Sequence, residues 1–380
     1  MKFSLPRNEF QQLLQTVVSA VPAKSTLPIL SNLLITAADG KLTLVATDLD
    51  TSIRTTGDAK VGAAGSITIP ARKLADIVRE LPNEEIKCSV TGTRVKIECG
   101  HGSYSIVGLE AEEYPQLPSS DGDRKIVVPT DVLEKGFRRT SYSVSSDETR
   151  QMLCGVLLQV TEGEVVMVAT DGHRLACSRF KGSYKFQEGS APDSTTAGTG
   201  RDMIIPPKAL QQVVRLAAGT VNVGLTVSKN YATFDLGNTT VYSRLIDGNF
   251  PNYEMVIPKT NPKEISIGRE DLIAAVRRVS VLADSVTHQI KVSVRPERIE
   301  LSVNTADVGE GSEQVPVTYS GDRLDIGYNA NYLLDILRSI DTKSVLLKLN
   351  TAVTAGIIEP EAMAEGESLL CLIMPLRLPD

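Results

Sequence analysis

The run Thr170-Asp171-Gly172-His173-Arg174 places a hydroxyl, a carboxylate, an imidazole and a guanidinium side by side. A histidine near an aspartate, with a hydroxyl beside them, has the composition of a nucleophilic hydrolase. Its surroundings argue against that chemistry. No GxSxG elbow accompanies the run, and His101 and His288 stand at no metal-ligand spacing from His173. The five cysteines, Cys88, Cys99, Cys154, Cys177 and Cys371, are odd in number and contain no CxxC pair. That fits reduced thiols in a cytosol, and neither a disulfide framework nor a zinc site. Gly92, Gly100 and Gly102 belong to no GK[ST] or GxGxxG, so no phosphate loop is expected and no cofactor is called for. Three readings of 170–174 stay open: a site for a binding partner, a structural turn and, least supported, catalysis.

The elements that must hold these residues occur three times. A strand that turns into a helix reads ITIPARKLADIV at 67–78, MIIPPKALQQVV at 203–214 and IGYNANYLLDIL at 326–337. LTLVATD at 42–48 returns as VVMVATD at 165–171 and, in shape, as IELSVNT at 299–305. An amphipathic helix opens each repeat, over Arg7–Val21, Thr130–Tyr142 and Arg269–Leu282, with Phe10, Leu133 and Leu272 in equivalent places. Each repeat closes on Tyr114-Pro115, Phe250-Pro251 or Met374-Pro375. Four features in one order, three times, imply three similar domains.

The first repeat has LDTSI where the second has GHRLA, so the fold does not need the polar cluster. The intervening segments alternate in polarity and meet at turns such as Ala38-Asp39-Gly40. They predict strands over Leu33–Ala37, Lys41–Ala46, Ser52–Thr56, Ile86–Val90 and Arg94–Glu98. Two helices and about eight antiparallel strands per repeat make an α+β unit. Polar linkers at Ser119–Lys125 and Pro258–Lys263 set the boundaries at 1–124, 125–258 and 259–380, and the 182–202 insertion, with its polar loop Gly189–Gly200, reads as a mobile surface segment.

A chain of 380 residues has room for these domains, and 42% hydrophobic content suits a globular protein. Trp is absent and aromatics are 4%, so the core must be aliphatic. No apolar run approaches the ~20 residues that cross a bilayer. Pro6 interrupts the N-terminus before a signal-peptide core forms, and a cytoplasmic location is expected. Net charge is −6, yet the six helical stretches sum to +5 and leave −11 elsewhere. Equivalent basic helices on neighbouring domains suit a regular polyanion held by its phosphates, with no reading of bases.

The motifs LPIL (Leu27–Leu30), ATDGHRLA (Ala169–Ala176), GNFPNY (Gly248–Tyr253) and MPLRL (Met374–Leu378), with three repeats over the full length, resemble the bacterial DNA sliding clamps, the beta subunits of DNA polymerase III. The resemblance implies the clamp fold, with two helices per domain packed on antiparallel sheets. It implies two chains closed head-to-tail into a six-domain ring around duplex DNA. The expected function is that of a non-enzymatic processivity factor that slides on DNA and tethers the replicative polymerase. Expected partners are duplex DNA without sequence preference, the replicative polymerase, a clamp-loader ATPase, other polymerases and repair proteins with short linear motifs, and a second copy of the chain.

Carried over by position, the resemblance gives a peptide cleft of Leu153, Thr170, Gly172, His173, Arg174, Leu175, Pro251, Val256, Met374, Pro375, Leu376 and Arg377. The apolar members offer a slot of low directional demand, and Arg174 and Arg377 could hold peptide carbonyls or a carboxylate. Leu376 and Met255 depart from the family pattern. Lys24 falls where the family places a DNA contact. The helix candidates for phosphates are Arg72, Lys73, Arg138, Arg139, Lys208, Arg215, Arg277 and Arg278. The ring joint is expected from Tyr104 and Ile106 against Val281 and Leu282. Two rival functions remain at this stage: a repeat scaffold that binds only proteins, and a hydrolase built on Asp171 and His173.

Overall fold

The computed structural model describes residues 1–118, 124–184, 202–228, 230–306 and 308–378. The first linker up to residue 123 and the insertion from 185 to 201 lie outside them. Six α-helices occur among the described residues: α1 (Arg7–Val18), α2 (Ala71–Glu80), α3 (Thr130–Thr140), α4 (Pro207–Leu216), α5 (Arg269–Ser280) and α6 (Ala330–Ser339). Each follows directly on a strand or one residue behind it. Pro6 and Pro70 mark two of these strand-to-helix corners, and at α6 the Asn329 side chain accepts from the amides of Asn331 and Tyr332. The apolar spacing sets the buried stripe, as in α1, where Phe10, Leu13, Leu14 and Val17 face inward.

The first helix of each repeat ends two or three residues earlier than its apolar period predicts. Each stops where a Ser or Thr hydroxyl bonds back to a carbonyl of the last turn. These bonds are Ser19 to Thr16 O at 3.3 Å, Thr140 to Gly136 O at 2.7 Å, and Ser280 to Arg277 O at 3.0 Å. Such side chains compete with the helical ladder and favour its end.

The chain forms two compact units, and the division runs through the middle repeat. One contains Met1–Thr130 and Lys208–Leu245; the other contains Asp131–Tyr184, the strand Met203–Ile205 and Ile246–Asp380. The first unit has a five-stranded sheet in the order Lys60–Ala63, Lys2–Pro6, Glu85–Thr91, Arg94–Cys99, Gly102–Val107. Its eight-stranded sheet runs Arg124–Pro129, Asn222–Val227, Tyr231–Asp235, Thr239–Arg244, Thr51–Asp58, Lys41–Thr47, Asn32–Ala38, Gly65–Pro70. The second unit has twelve strands in the order Met203–Ile205, Val156–Val160, Glu164–Thr170, Arg174–Lys181, Glu367–Ile373, Gly356–Pro360, Ser344–Leu349, Lys263–Gly268, Gly309–Thr318, Arg298–Thr305, Gln289–Arg295, Leu324–Asn329. All paired strands are antiparallel, as alternation and short turns require.

One pairing recurs and explains the division. The last strand of the second repeat, Thr239–Arg244, pairs with Thr51–Asp58 of the first, with Val241 opposite Ile53. The last strand of the third repeat, Glu367–Ile373, pairs with Arg174–Lys181 of the second, with Cys371 opposite Ala176. Each junction knits one repeat to the next. The middle repeat is therefore shared between the two units.

Two strands of this series have an open edge among the described residues. Gly102–Val107 ends the five-stranded sheet. Gly309–Thr318 pairs along its length with Arg298–Thr305, but on its other side meets Lys263–Gly268 only at Val317 and Thr318.

The cores are aliphatic, as the composition demands, and they hold most of the thiols. Cys88, Cys177 and Cys371 are buried, and burial pushes their thiols up to about 12, about 11 and about 12. Cys99 is also buried, while Cys154 is only half-buried. At about pH 8, iodoacetamide is expected to modify Cys154 alone in the native chain, and all five thiols in denaturant. Intact-mass measurement checks this; rapid native modification of Cys88 or Cys371 would contradict the packing.

Candidate partner cleft and basic helical faces

The polar cluster folds as a tight turn between the strands Glu164–Thr170 and Arg174–Lys181. Asp171 Oδ1 accepts from the amides of His173 (2.8 Å) and Arg174 (2.9 Å). Thr170 Oγ1 accepts from Gly172 N (3.1 Å) and donates to Arg174 O (2.7 Å). Gly172 adopts φ +91°, a left-handed conformation that glycine takes without a Cβ penalty. The Asp171 carboxylate is thus occupied by backbone amides and by Arg174, whose Nε donates to Oδ2 at 3.0 Å. It does not orient the imidazole. The hydrolase reading lacks the acid–base pair it needs.

Arg174 differs most from expectation. The residue is 9% exposed, and its Nη1 donates to Asp335 Oδ2 of α6 at 2.8 Å. The guanidinium lies 4.3 Å from the ring centre of Tyr332 and 5.4 Å from that of Tyr142. A guanidinium with two carboxylates and two aromatic faces has little left for a peptide carbonyl. His173 is exposed and stacks on Tyr332, with ring centres 6.5 Å apart and 25° between planes.

An apolar floor lies beside the turn. Leu153, Leu175, Phe250, Tyr253, Ala355 and Leu372 belong to one buried cluster. Pro251 and Val256 flank Phe250 and Tyr253 and are exposed, Val256 by 58%. Met374 N donates to His173 O (2.8 Å), so the terminal strand ends against the turn with the Met374 side chain 42% exposed. Beyond it, Leu376 N donates to Gly327 O at 2.8 Å, and Gln289 Nε2 donates to Arg377 O at 2.8 Å. Pro375 and Leu376 are half-buried and the Arg377 side chain is exposed. The fold gathers the 170–175 turn, Leu153, the 250–253 segment and Met374, and ties Leu376 and Arg377 to the strands Leu324–Asn329 and Gln289–Arg295.

Three residues of this region were not legible as members. Arg150 Nη2 donates to Asp171 O at 3.2 Å, and a Cβ on Gly172 would stand 3.1 Å from its Nη1. Tyr332 and Asp335 reach the turn from α6. Their i, i+3 spacing on one helical face was the only available signal.

The nine basic candidates fall into three groups. Lys24, Arg72, Lys73 and Arg277 are exposed and have no ion-pair partner among the described residues. Arg138 pairs with Asp341, Lys208 with Asp48, and Arg278 with Glu313 at 2.7 Å, while Arg215 donates to Gln212 (2.8 Å) and Ser19 (2.7 Å). The hydrogen bonds from Arg138 hold Asp341 below the usual carboxylate range, and burial lowers Arg215. Arg139 is a correction to the sequence reading. It is 7% exposed, pairs with Glu367 at 2.8 Å and lies 5.5 Å from the Phe180 ring centre, so it offers no phosphate a contact.

At the open edges, Tyr104 is 43% exposed and Ile106 is half-buried; Val281 is 77% exposed and Leu282 is half-buried. Val107 and Val308, 58% and 56% exposed, stand beside them and were missed in the sequence.

Comparison with known proteins agrees along the whole chain. The N-terminal, central and C-terminal domain models of the DNA polymerase III beta subunit match residues 1–118, 127–252 and 254–377. The beta sliding clamp of Chlamydia muridarum is 32% identical over 381 residues, covering 100% of both chains. Among solved structures, a Caulobacter crescentus beta sliding clamp aligns at a TM-score of 0.90 and 32% identity, with 100% of both chains covered. A Bartonella birtlesii sliding clamp bound to griselimycin aligns at 0.90 and 31%, again over 100% of both.

Proposed function

Because the chain belongs to the family of DNA polymerase III beta subunits, the bacterial sliding clamps, we propose how its own residues serve that role. The protein is a DNA polymerase processivity factor of the ring-forming clamp type. Its work is retention and tethering. We assign it no catalytic residues, a cytoplasmic site of action, and loading onto DNA by a separate ATPase. The domain limits proposed are 1–124, 125–258 and 259–380.

The observation that carries the assembly is the recurring junction. In both intrachain junctions the last strand of one repeat lies on the fourth strand of the repeat before it. The open strand Gly102–Val107 and the open edge of Gly309–Thr318 are the two unused members of that series. A second copy supplies the missing partner to each, and the assembly closes after two chains with neither of these two edges left open. Keeping the register of the internal junctions puts Tyr104 opposite Gly311 and Val107 opposite Val308. A Cβ on Gly311 would stand only 3.2 Å from Leu282 Cδ1, so that leucine lies over the glycine. The large ring of Tyr104 thus meets an absent side chain and an available leucine.

The partner cleft is built from the 170–175 turn, Leu153, Phe250, Pro251, Val256 and Met374, extended by Arg150 and Tyr332. Its occupants are short apolar peptide motifs of polymerases and other clients. Griselimycin, found on the Bartonella clamp, is proposed to enter the same cleft.

For DNA, Lys24, Arg72, Lys73 and Arg277, exposed and without an ion-pair partner among the described residues, are the first choice for phosphate contacts. Lys208, Arg138, Arg215 and Arg278 already hold partners. Binding to short open duplex should be weak, indifferent to sequence and salt-sensitive, since each neutralised phosphate adds about −0.9 to the slope of log K against log salt. Replacing Lys24 and Arg277 by Glu should flatten that slope and slow loading. A ring already loaded on a nicked circle should remain bound through a high-salt wash and leave when the circle is cut. Equal salt sensitivity on linear and circular DNA would refute topological retention.

A further inference from the structure

The two internal junctions share one turn but differ at equivalent positions. At the first, Asp48 Oδ1 accepts from Asp50 N (3.2 Å) and Thr51 N (2.7 Å), and Leu49 N donates to Thr47 Oγ1 (3.0 Å). This is the bonding pattern of Asp171 and Thr170. Leu49, at φ +80°, stands where the second turn has Gly172. Asp50 and Thr51 replace His173 and Arg174. On the helix that follows, Ala209 and Gln212 of α4 replace Tyr332 and Asp335 of α6. The charges are exchanged as well. At the first junction the turn supplies the acid, Asp48, and the helix the base, Lys208; at the second the turn supplies Arg174 and the helix Asp335.

Resting on the cleft reading above, we infer that Asp335 is a positioning residue of the partner cleft, and that the Arg174–Asp335 latch beneath Tyr332 is what fits the second junction to bind peptide. Arg174 is buried and fully engaged, so it acts through its neighbours. Asp335 and Asp171 fix the plane of the guanidinium, and Tyr332 lies on that plane at 4.3 Å. His173 stacks on Tyr332 in turn. The result is a rigid, half-exposed aromatic shelf at the edge of an apolar floor. A shelf held in place before binding spares the ordering cost that a mobile tyrosine would add. The ligand class that profits is a peptide with an apolar or aromatic side chain, laid across Tyr332 and His173. The first junction has neither ring and no buried guanidinium to hold one.

Calorimetry with griselimycin on the full-length protein tests this. Asp335→Asn should weaken binding roughly tenfold, in the range of coupling between contacting groups. Asp335→Glu, which keeps the charge, should restore most of it. Tyr332→Ala should also weaken binding, and adding Asp335→Asn to it should cause no further loss, because Asp335 acts through that ring. Wild-type affinity in Asp335→Asn, failure of the glutamate to restore binding, or additive losses in the double variant would overturn the inference. Absence of binding to the wild type would instead overturn the cleft reading itself.

Discussion

Leu282→Asp is expected to turn the dimer into monomers. In the proposed joint the open strand Gly102–Val107 meets the open edge of Gly309–Thr318 of a second chain, and Leu282 lies beside Gly311 of its own chain. Its carbonyl accepts from Thr305 Oγ1 at 2.8 Å, which fixes the backbone of residue 282 against the neighbouring strand. If the proposed joint covers it, a carboxylate in that place costs several kcal/mol per joint. A closed dimer contains the joint twice. The association constant should therefore fall by roughly 10³-fold or more. Sedimentation equilibrium reads this directly. Val353→Asp, at a position 72% exposed, serves as the charge control and should stay dimeric. A dimer of unchanged affinity in Leu282→Asp would place the joint elsewhere.

Removal of Met374–Asp380 is expected to abolish peptide and griselimycin binding while the protein stays dimeric. Ile373 is the last residue of its strand and is fully buried, so the cut falls outside the core. What leaves is the Met374 wall beside the 170–175 turn, with the bonds from Met374 N to His173 O, from Leu376 N to Gly327 O and from Gln289 Nε2 to Arg377 O. Each large apolar side chain of a ligand that loses such a wall gives up roughly 1.5–3 kcal/mol. Two such anchors are enough to push a micromolar complex beyond calorimetric detection. The joint strands lie in other parts of the sequence, so sedimentation should be unaltered. Retained affinity after the deletion would sink the assignment of Met374 to the cleft.

How legible all this was depended on whether the deciding partner was near in sequence. The strand-to-helix corners at 70, 206 and 329 were readable because proline or asparagine and the apolar period lie within one segment. The three repeats were readable because they share an order. The role of Arg174 was not, because Asp335 is 161 positions away and only the folded chain brings it to the guanidinium. Arg138 and Arg139 look interchangeable in the sequence. They differ because successive residues point about 100° apart around a helix. Val132, Gly136 and Arg139 share the buried stripe of α3. Gly136, a glycine in the middle of a helix, was the one signal in the sequence; in the fold a Cβ there would press on the Met167 sulfur, so that face of α3 packs closely and Arg139 follows it inward. The helix ends were misjudged because apolar spacing continues past the Ser and Thr hydroxyls that stop them.

The division of the middle repeat bears on how such a chain can be recombined. Its sequence suggests three interchangeable cassettes, and a graft between relatives would naturally be cut at the linkers. The compact bodies run instead from within one repeat to within the next, because each junction ladder buries Val241 against Ile53 or Cys371 against Ala176. A chimera spliced at a linker therefore asks two unrelated surfaces to fit across a ladder that never evolved together. No single crossover inside the middle repeat spares both ladders; a graft that keeps them native exchanges a whole body, with Asp131–Tyr184, Met203–Ile205 and Ile246–Asp380 moved together. The inheritable module of this protein is the seam with its two flanks, and the repeat is only the pattern in which seams are copied.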